Sequence, residues 1–560
     1  MGEDTRTPLA LSQHCRIVNL IVFGSPGPDF LMHPPLSPAS IPKAPLVASG
    51  SGQHVPRVAA FFSLATHALP RFKVQLCWLV IGIGVAVRCW QYFGDRSLWV
   101  DEAMLALNIT GKTFAQLFHP LDHGQAAPVG FLLVEKLAVL ILGDSEFSLR
   151  LFPLLCGVAS VFLFYALGRR CLTPAATLVG LVLFVFSRPL IYYSSEVKQY
   201  SGDVTVALLL YLIALPFLTR ERVTAWYAAF FGVAGVLGLL FSHPAAFVLA
   251  GVGTTLAISS LAARDWGRLR LLSITGALWG LSFLAAYVMI LRPLSNDQSF
   301  VQAWSWGGGF MPVVPRSGSD LVWPVSAVFS LFNGAMGLPV PLAVIAFCVG
   351  GYVLFTEKKP LFFLLLSPVF FTLLASGLQK YPFSGRLILF LAPAFFLIIA
   401  VGVTHIWEVT RQRGAIIGIT FAGIFLLSTA QKGVTAQPRE EIKPLLSYFA
   451  THRQAGDVLY VYYGAAAALQ YYQDRYGLAD GDYVVGVPAR HDWKRYRDDL
   501  AQLRGHKRVW VLFSHVHRSS GVDEEKLLLY FLDTLGVRQD GQKAADASIY
   551  LYDFAAPRAG

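Results

Sequence analysis

The sequence predicts an α-helical polytopic membrane protein of about eleven spans with a C-terminal α/β soluble domain. Three observations predict it. Of 560 residues, 55% are hydrophobic and 14% charged, with a mean hydropathy of +0.54, whereas an ordinary soluble domain is about a quarter charged. The charge is also unevenly placed: residues 431–560 hold 17 Lys+Arg and 16 Asp+Glu, against 28 and 18 in residues 1–430. Finally, apolar runs recur from residue 74 to residue 430, and a span needs roughly 20 apolar residues. A disordered chain and a soluble enzyme are both excluded. The net charge of +11 does not indicate nucleic acid, because the excess lies in the membrane part and its short loops; the positive-inside bias accounts for it.

Residues 1–73 read as a flexible extension, with Pro34-Pro35, Pro38, Pro42, Pro45 and a Gly/Ser patch at 49–52. No charged segment leads directly into a cleavable apolar stretch, so no signal peptide is expected. Residues 74–430 form the membrane module. Its expected spans are 74–93, 149–168, 175–194, 202–218, 226–241, 244–262, 273–291, 339–355, 361–377, 387–405 and 415–430. The run 128–142 is shorter and has Glu135-Lys136 at its centre, which is costly in hydrocarbon, so it is expected to lie in the interface. With it excluded, Arg169-Arg170, Arg220/Arg222, Arg264/Arg268/Arg270, Lys358-Lys359 and Arg411/Arg413 all fall on one side, which the bias assigns to the cytoplasm. The N-terminus is then inside, and an odd number of spans puts residues 431–560 outside. In the long loop at 292–338 an interfacial helix is expected near 320–335. The tail 431–560 alternates helical patterns (439–453, 464–476, 491–504, 523–535) with β-rich runs (457–463, 483–487, 508–516, 547–554). This predicts an α/β domain with a mostly parallel sheet. The six cysteines, none of them in this tail, show no disulfide or zinc spacing.

The residues suited to chemistry gather at the outer ends of spans. Ser97-Leu98-Trp99-Val100-Asp101-Glu102 follows the first span. Two adjacent carboxylates raise one another's pKa unless a cation or hydroxyl donor is close. Such a carboxylate suits a general base taking a proton from a hydroxyl, although acids also favour a helix start. Tyr193-Ser194-Ser195-Glu196-Val197-Lys198-Gln199-Tyr200 caps the third span, and Glu196 with Lys198 in so short a loop suits a sugar or phosphate site. Arg386, heading the tenth span, breaks the positive-inside pattern, and a fixed guanidinium suits a phosphate. Arg150 has the same status at the second span. His243-Pro244 places an imidazole where it can bond a substrate oxygen. Trp304-Ser305-Trp306-Gly307-Gly308-Gly309 suits a mobile lid or an interface anchor. His515 and His517 end a strand pattern and are expected to be structural or solvent-facing.

Ser97-x-Trp99-x-Asp101-Glu102-Ala103, Pro128, Gly143-Asp144-Ser145-Glu146-x-x-x-Arg150, Arg169-Arg170, Tyr193-Ser194-Ser195-Glu196-x-Lys198-x-Tyr200 and Arg386 with Pro393 resemble the C-type (GT-C) glycosyltransferases. The likeness is to bacterial family-39-like members, related to protein mannosyltransferases and to the aminoarabinose transferase of lipid A. It covers about residues 74–430, and the Asp-Glu pair is its specific part. It implies an inner-membrane enzyme with a periplasmic site that moves a sugar from a polyprenyl-phosphate donor to an envelope lipid or glycan. Asp101 matches the catalytic base. Arg386 matches a late Arg holding the lipid phosphate, and Glu196, Lys198 and Tyr200 match a substrate region. Glu102, Arg150 and His243 are further candidates for substrate binding. Carboxylates at 101, 102 and 196 are candidate ligands for Mg²⁺ or Mn²⁺. Ala103-Met104 departs from the His-Phe of eukaryotic protein mannosyltransferases, which weighs against a protein acceptor. Arg439-Glu440-Glu441 resembles the opening of tails in bacterial members. A lipid-linked-sugar flippase and a protein O-glycosyltransferase stay as alternatives; a transporter gathers its polar groups near the midplane rather than at span ends.

Overall fold

The computed structural model describes residues 57–555 apart from 220–222, 289–291, 293–303, 306–307, 432–438, 491 and 520. Most of the expected extension, 1–56, therefore lies outside the described residues, as do Trp306, Gly307 and Arg220/Arg222. The chain divides into Met1–Ser63 and Leu64–Gly560. The first unit ends in the opening residues of helix α1 (Arg57–Tyr92), and the second carries the remaining elements.

Eight helical segments among the described residues are long and apolar enough to cross a membrane. They are Phe72–Tyr92 of α1, α4 (Glu146–Cys171), Tyr200–Leu218 of α7 (Tyr200–Thr219), α9 (Ala245–Ala262), α10 (Trp266–Ala286), α12 (Val340–Glu357), α13 (Lys359–Gly377) and Gly385–Thr410, which runs into α14 (Ala392–Gln431). Local chemistry starts several of them. Ser145 caps α4 by accepting from Ser148 N, and Asp265 caps α10 by accepting from Arg268 N. Ser317 and Asp320 form a capping box on α11 (Gly318–Phe329), inside the region where an interfacial helix is expected.

The structure departs from the expected eleven spans in three places. The expected span 175–194 is broken: α5 (Pro174–Val185) and the segment Arg188–Ser195, which opens with α6 (Arg188–Tyr192), meet at 59°. Ser187 is extended, and Pro189 in the first turn of α6 has no N–H with which to continue α5. Helix α8 (Ala225–Phe241) has 17 residues, short for a crossing. The expected spans 387–405 and 415–430 belong to one helical element, α14. Arg386 and Arg439, on either side of that element, both stand over the Trp99 ring, at 5.4 and 4.5 Å. The C-terminal domain therefore packs on the same side as Trp99 and Asp101.

Helix α3 (Val129–Leu142) is the short run read as interfacial. Glu135 within it is fully buried, and neither carboxylate oxygen has a hydrogen-bond partner among the described residues. Burial raises its pKa well above the ordinary carboxylate value. Lys136 escapes by donating to Thr110 O at 2.8 Å.

Helices α12 and α14 make the tightest crossing. A Cβ on Gly350 would stand 1.9 Å from Ile398 O, and one on Gly402 1.8 Å from Ala346 O. Small residues let helix backbones approach this closely in a membrane. Gly350→Ala is expected to drive the pair apart and to cost about 1–3 kcal/mol, the usual range for overpacking. Unfolding of the purified variant in mild detergent measures this, and a wild-type midpoint would refute the tight crossing.

The C-terminal sheet has the order β2 (Tyr483–Val485), β1 (Val458–Val461), β3 (Val509–Ser514), β7 (Ala547–Asp553), β6 (Val537–Ala544). β1 pairs in parallel with β2 and β3, whereas β7 is antiparallel to both β3 and β6. The expected mostly parallel sheet is therefore mixed, because the chain closes with a hairpin, β6–β7, instead of a further crossover. Helices α15 (Lys443–His452), α16 (Ala466–Tyr472), α17 (Trp493–Ala501) and α18 (Glu524–Leu535) pack around it.

This domain is fused to the membrane module, not merely tethered to it. Leu98, Leu105 and Ile109 of the α2 region (α2, Val100–Gly111), Phe131 of α3 and Leu149 of α4 share one buried apolar cluster with Leu446, Leu469, Tyr472, Trp510 and Leu512. Burying that surface is favourable at about 25 cal/mol per Å². Arg475 adds a bond to Glu146 at 2.8 Å.

Candidate functional site

The two adjacent acids that follow α1 divide their roles. Neighbouring residues on a helix point about 100° apart, so Asp101 and Glu102 at the start of α2 face different partners. Glu102 is 1% exposed and Arg150 3%. Arg150 Nε and Nη2 donate to the two oxygens of Glu102 at 3.0 and 2.7 Å. Val197 N donates to Glu102 Oε1 at 2.8 Å, and Arg150 Nη1 to Arg96 O at 2.8 Å. Glu102 and Arg150 thus clasp three segments together. Both were expected to bind substrate; neither is among the residues that line the cavity described below.

Asp101 turns the other way. Its carboxylate accepts from Arg386 Nη2, with the two side chains 22% and 24% exposed. Burial disfavours its charge, but Lys198 and Arg386 outweigh burial and hold the carboxyl below its ordinary value. Asp101 therefore stays ionised throughout the neutral range. In the free enzyme, kcat/KM is expected to show no acid limb from Asp101 above the ordinary carboxylate value of 3.8. An Asp101 titration at higher pH, seen in the pH–rate profile and absent in Asp101→Asn, would contradict the assigned charge.

Arg386 lies in a 3₁₀ turn, Gly385–Leu391. Gly385 adopts φ 51°, a left-handed conformation natural to glycine, and its N–H is held by Ser330 Oγ at 2.8 Å. The guanidinium stands 5.4 Å from the Trp99 ring and 5.6 Å from the Tyr200 ring, an aromatic cradle for a cation.

In the segment before α7, Lys198 donates to Gln125 Oε1 at 2.6 Å and lines the same cavity as Asp101. Burial lowers its pKa, opposed by Asp101. Glu196 is fully buried and accepts from Trp99 Nε1 at 3.0 Å; its other oxygen has no partner among the described residues. Burial and Glu102 raise its pKa above the carboxylate range. It props Trp99 and is not among the residues that line the cavity.

Asp101, Lys198, Tyr200, His243 and Arg386 line one cavity of 380 Å³. Desolvation pushes the His243 imidazole down to about 4, so it is neutral and can bond an oxygen without carrying charge. Trp304 also lines the cavity. An apolar cavity of 570 Å³ between α9, α10 and α13 adjoins it and shares Ala246, Phe247, Phe283 and Ala375. The expected metal ligands do not converge. Glu102 is spent on Arg150 and Glu196 on Trp99, and among the described residues no three His, Cys, Asp or Glu side chains gather as a metal site.

Some site residues escaped the sequence reading. Gln125 carried no signal. His515, expected to be structural or solvent-facing, donates through Nδ1 to Glu440 Oε1 at 2.8 Å. Arg439, at the opening of the tail, stands over Trp99.

Residues 125–290 match the family of dolichyl-phosphate-mannose-protein mannosyltransferases. ArnT from Cupriavidus metallidurans bound to undecaprenyl phosphate is similar in structure, with 13% identity, 84% of this chain and 97% of that chain covered, and a TM-score of 0.52. The Archaeoglobus fulgidus oligosaccharyltransferase in complex with Zn and sulfate gives 13% identity, covers 78% of this chain and 67% of that one, and has a TM-score of 0.49. The comparison with curated proteins gives no match. The fold is that of the GT-C membrane glycosyltransferases. The segment that matches the mannosyltransferase family holds Lys198, Tyr200 and His243 of the cavity.

Proposed function

We propose that the protein transfers a sugar from a polyprenyl-phosphate donor to an envelope lipid or glycan on the periplasmic face of the bacterial inner membrane. One observation carries the reading: Asp101 and Arg386, 285 positions apart, meet in a cavity that carries charged side chains and adjoins an apolar one. A lipid-linked donor has the same two parts. Its tail suits the apolar groove of α9, α10 and α13, and its phosphate suits Arg386 and Lys198. Binding of undecaprenyl phosphate by the similar ArnT supports this assignment. The periplasmic side follows from the positive-inside reading of the loops.

The reaction then proceeds by direct displacement. The donor phosphate competes for the Arg386 guanidinium and releases Asp101 from its ion pair. Asp101 takes the proton of the acceptor hydroxyl while that oxygen bonds the anomeric carbon. The bond from that carbon to the phosphate oxygen breaks, and polyprenyl phosphate leaves with the electron pair, its charge met by Arg386 and Lys198. Attack opposite the leaving group inverts the anomeric carbon.

Arg386→Ala is expected to weaken donor use by at least tenfold with little change in acceptor use, as for loss of a charge-assisted bond worth about 1.5–3 kcal/mol. Radiolabelled donor in detergent reads this out. Equal effects on donor and acceptor would count against a phosphate contact. Absence of released polyprenyl phosphate in the wild type would favour a flippase, and label entering protein would favour a protein O-glycosyltransferase.

A further inference from the structure

Helix α2, which carries Asp101, begins at Val100, and its N-cap residue Trp99 supplies no side-chain bond to the first turn. The N–H groups of a first helical turn have no partner within the helix. The C-terminal domain supplies what the local sequence lacks. Glu440 Oε2 accepts from Val100 N at 2.9 Å, while Glu440 Oε1 is held by His515 Nδ1 at 2.8 Å. Glu440 is buried and comes from the segment entering the domain; His515 follows the last residue of β3. Both have left-handed backbones, with φ 52° and 50°. Residues with a Cβ rarely adopt this conformation, and it persists where surrounding structure enforces it. At His515 the enforcement is visible: a Cβ on Gly464 would lie 2.7 Å from its carbonyl oxygen, so the two backbones pass in close contact. Neighbouring groups tie down the same segment. Glu441 accepts from Ser97 Oγ at 2.8 Å, and Leu98 N donates to Tyr472 OH at 2.8 Å.

We propose that Glu440 and His515 form a positioning pair, through which the C-terminal domain caps helix α2 and so leaves the Asp101 carboxylate free to face Arg386 and the cavity. The physical reason is competition. An aspartate in an uncapped first turn tends to bond its own helix N–H groups. A carboxylate seated on Val100 N occupies the first of these groups and pins the start of α2, which fixes the direction in which Asp101 points. His515 keeps this second carboxylate from turning toward the cluster of Arg386, Arg439 and Lys198, which would otherwise attract it. The inference rests on the reading of Asp101 as the base.

The test uses the full-length protein in lipid nanodiscs, with hydrogen exchange followed in peptides covering residues 98–105. Glu440→Ala and His515→Ala are expected to speed exchange of the first-turn amides about tenfold, a typical cap contribution, while peptides from α4 stay unchanged. His515→Asn should return exchange to within about twofold of wild type. Its amide nitrogen takes the place of Nδ1, and Asn tolerates the left-handed backbone. Transfer, scored by mass analysis of envelope lipids and glycans in a deletion strain carrying each variant, should fall at least tenfold for both Ala variants and recover with His515→Asn. Binding of undecaprenyl phosphate should stay within about twofold in all three. Unchanged exchange in both Ala variants overturns the cap. Normal transfer in Glu440→Ala, or a His515→Asn no better than His515→Ala, overturns the positioning role. Full transfer in Asp101→Asn would instead remove the base assignment, and the exchange data would still decide the cap by themselves.

Discussion

Asp101→Asn is expected to abolish measurable transfer while leaving a folded, membrane-inserted protein. The amide keeps the size of the side chain and can still accept a bond from Arg386, so packing changes little. It cannot take a proton from the acceptor hydroxyl. A positioned base contributes about 10²–10⁴-fold, and the loss of kcat should fall in that range. Loss of the carboxylate also frees Arg386, its ion-pair partner in the resting enzyme. Donor phosphate no longer has to displace an ion pair, so binding of undecaprenyl phosphate should be unchanged or tighter as kcat collapses. This opposite movement separates a base from a structural residue, which would weaken both. Near-normal transfer in this variant would end the assignment.

The second large effect is on stability. Arg150→Ala strands Glu102, at 1% exposure, with a buried charge. It also removes the donors to Arg96 O and Ser97 O. Breaking a buried pair by removing one partner costs about 3–5 kcal/mol. Arg150→Lys should recover only part of this, because an ammonium cannot reproduce the fork that reaches both carboxylate oxygens. Removing both members, as in Glu102→Leu with Arg150→Met, relieves the stranded charge but leaves Val197 N and the two carbonyls unpaired, so recovery is incomplete. Denaturation in mild detergent measures all three. An Arg150→Ala variant within about 1 kcal/mol of wild type, in the range of an exposed pair, would show that the clasp does not hold these segments together.

Much of this protein was legible in the chain alone. Hydropathy located the apolar helices because a bilayer rewards length and apolar composition, both local properties. The tail announced itself by charge density and alternating pattern. Asp101, Lys198, Tyr200, His243 and Arg386 stood out because ionisable groups are costly beside hydrocarbon and so mark their own positions, and the structure gathers these five around one cavity. The bend between α5 and α6 was less legible, since a short irregular break hardly alters mean hydropathy over a span. The mixed sheet was missed because β6 reads VRQDGQKA, mostly polar and largely exposed along its length.

What the sequence determined, then, was composition against depth: which segments are apolar, which ionisable groups lie at their ends, and that a polar domain follows. Only the tertiary structure decided direction. Asp101 and Glu102 are adjacent and nearly alike in chemistry, yet one meets Arg386 and the other Arg150, 285 and 48 positions away. A helix fixes the angle between neighbouring side chains but not what lies at the end of each. Glu440 and His515 likewise gained their place only when β3 and the tail packed beside α2. Contacts between distant segments depend on how whole elements dock, and no local pattern of residue types encodes that.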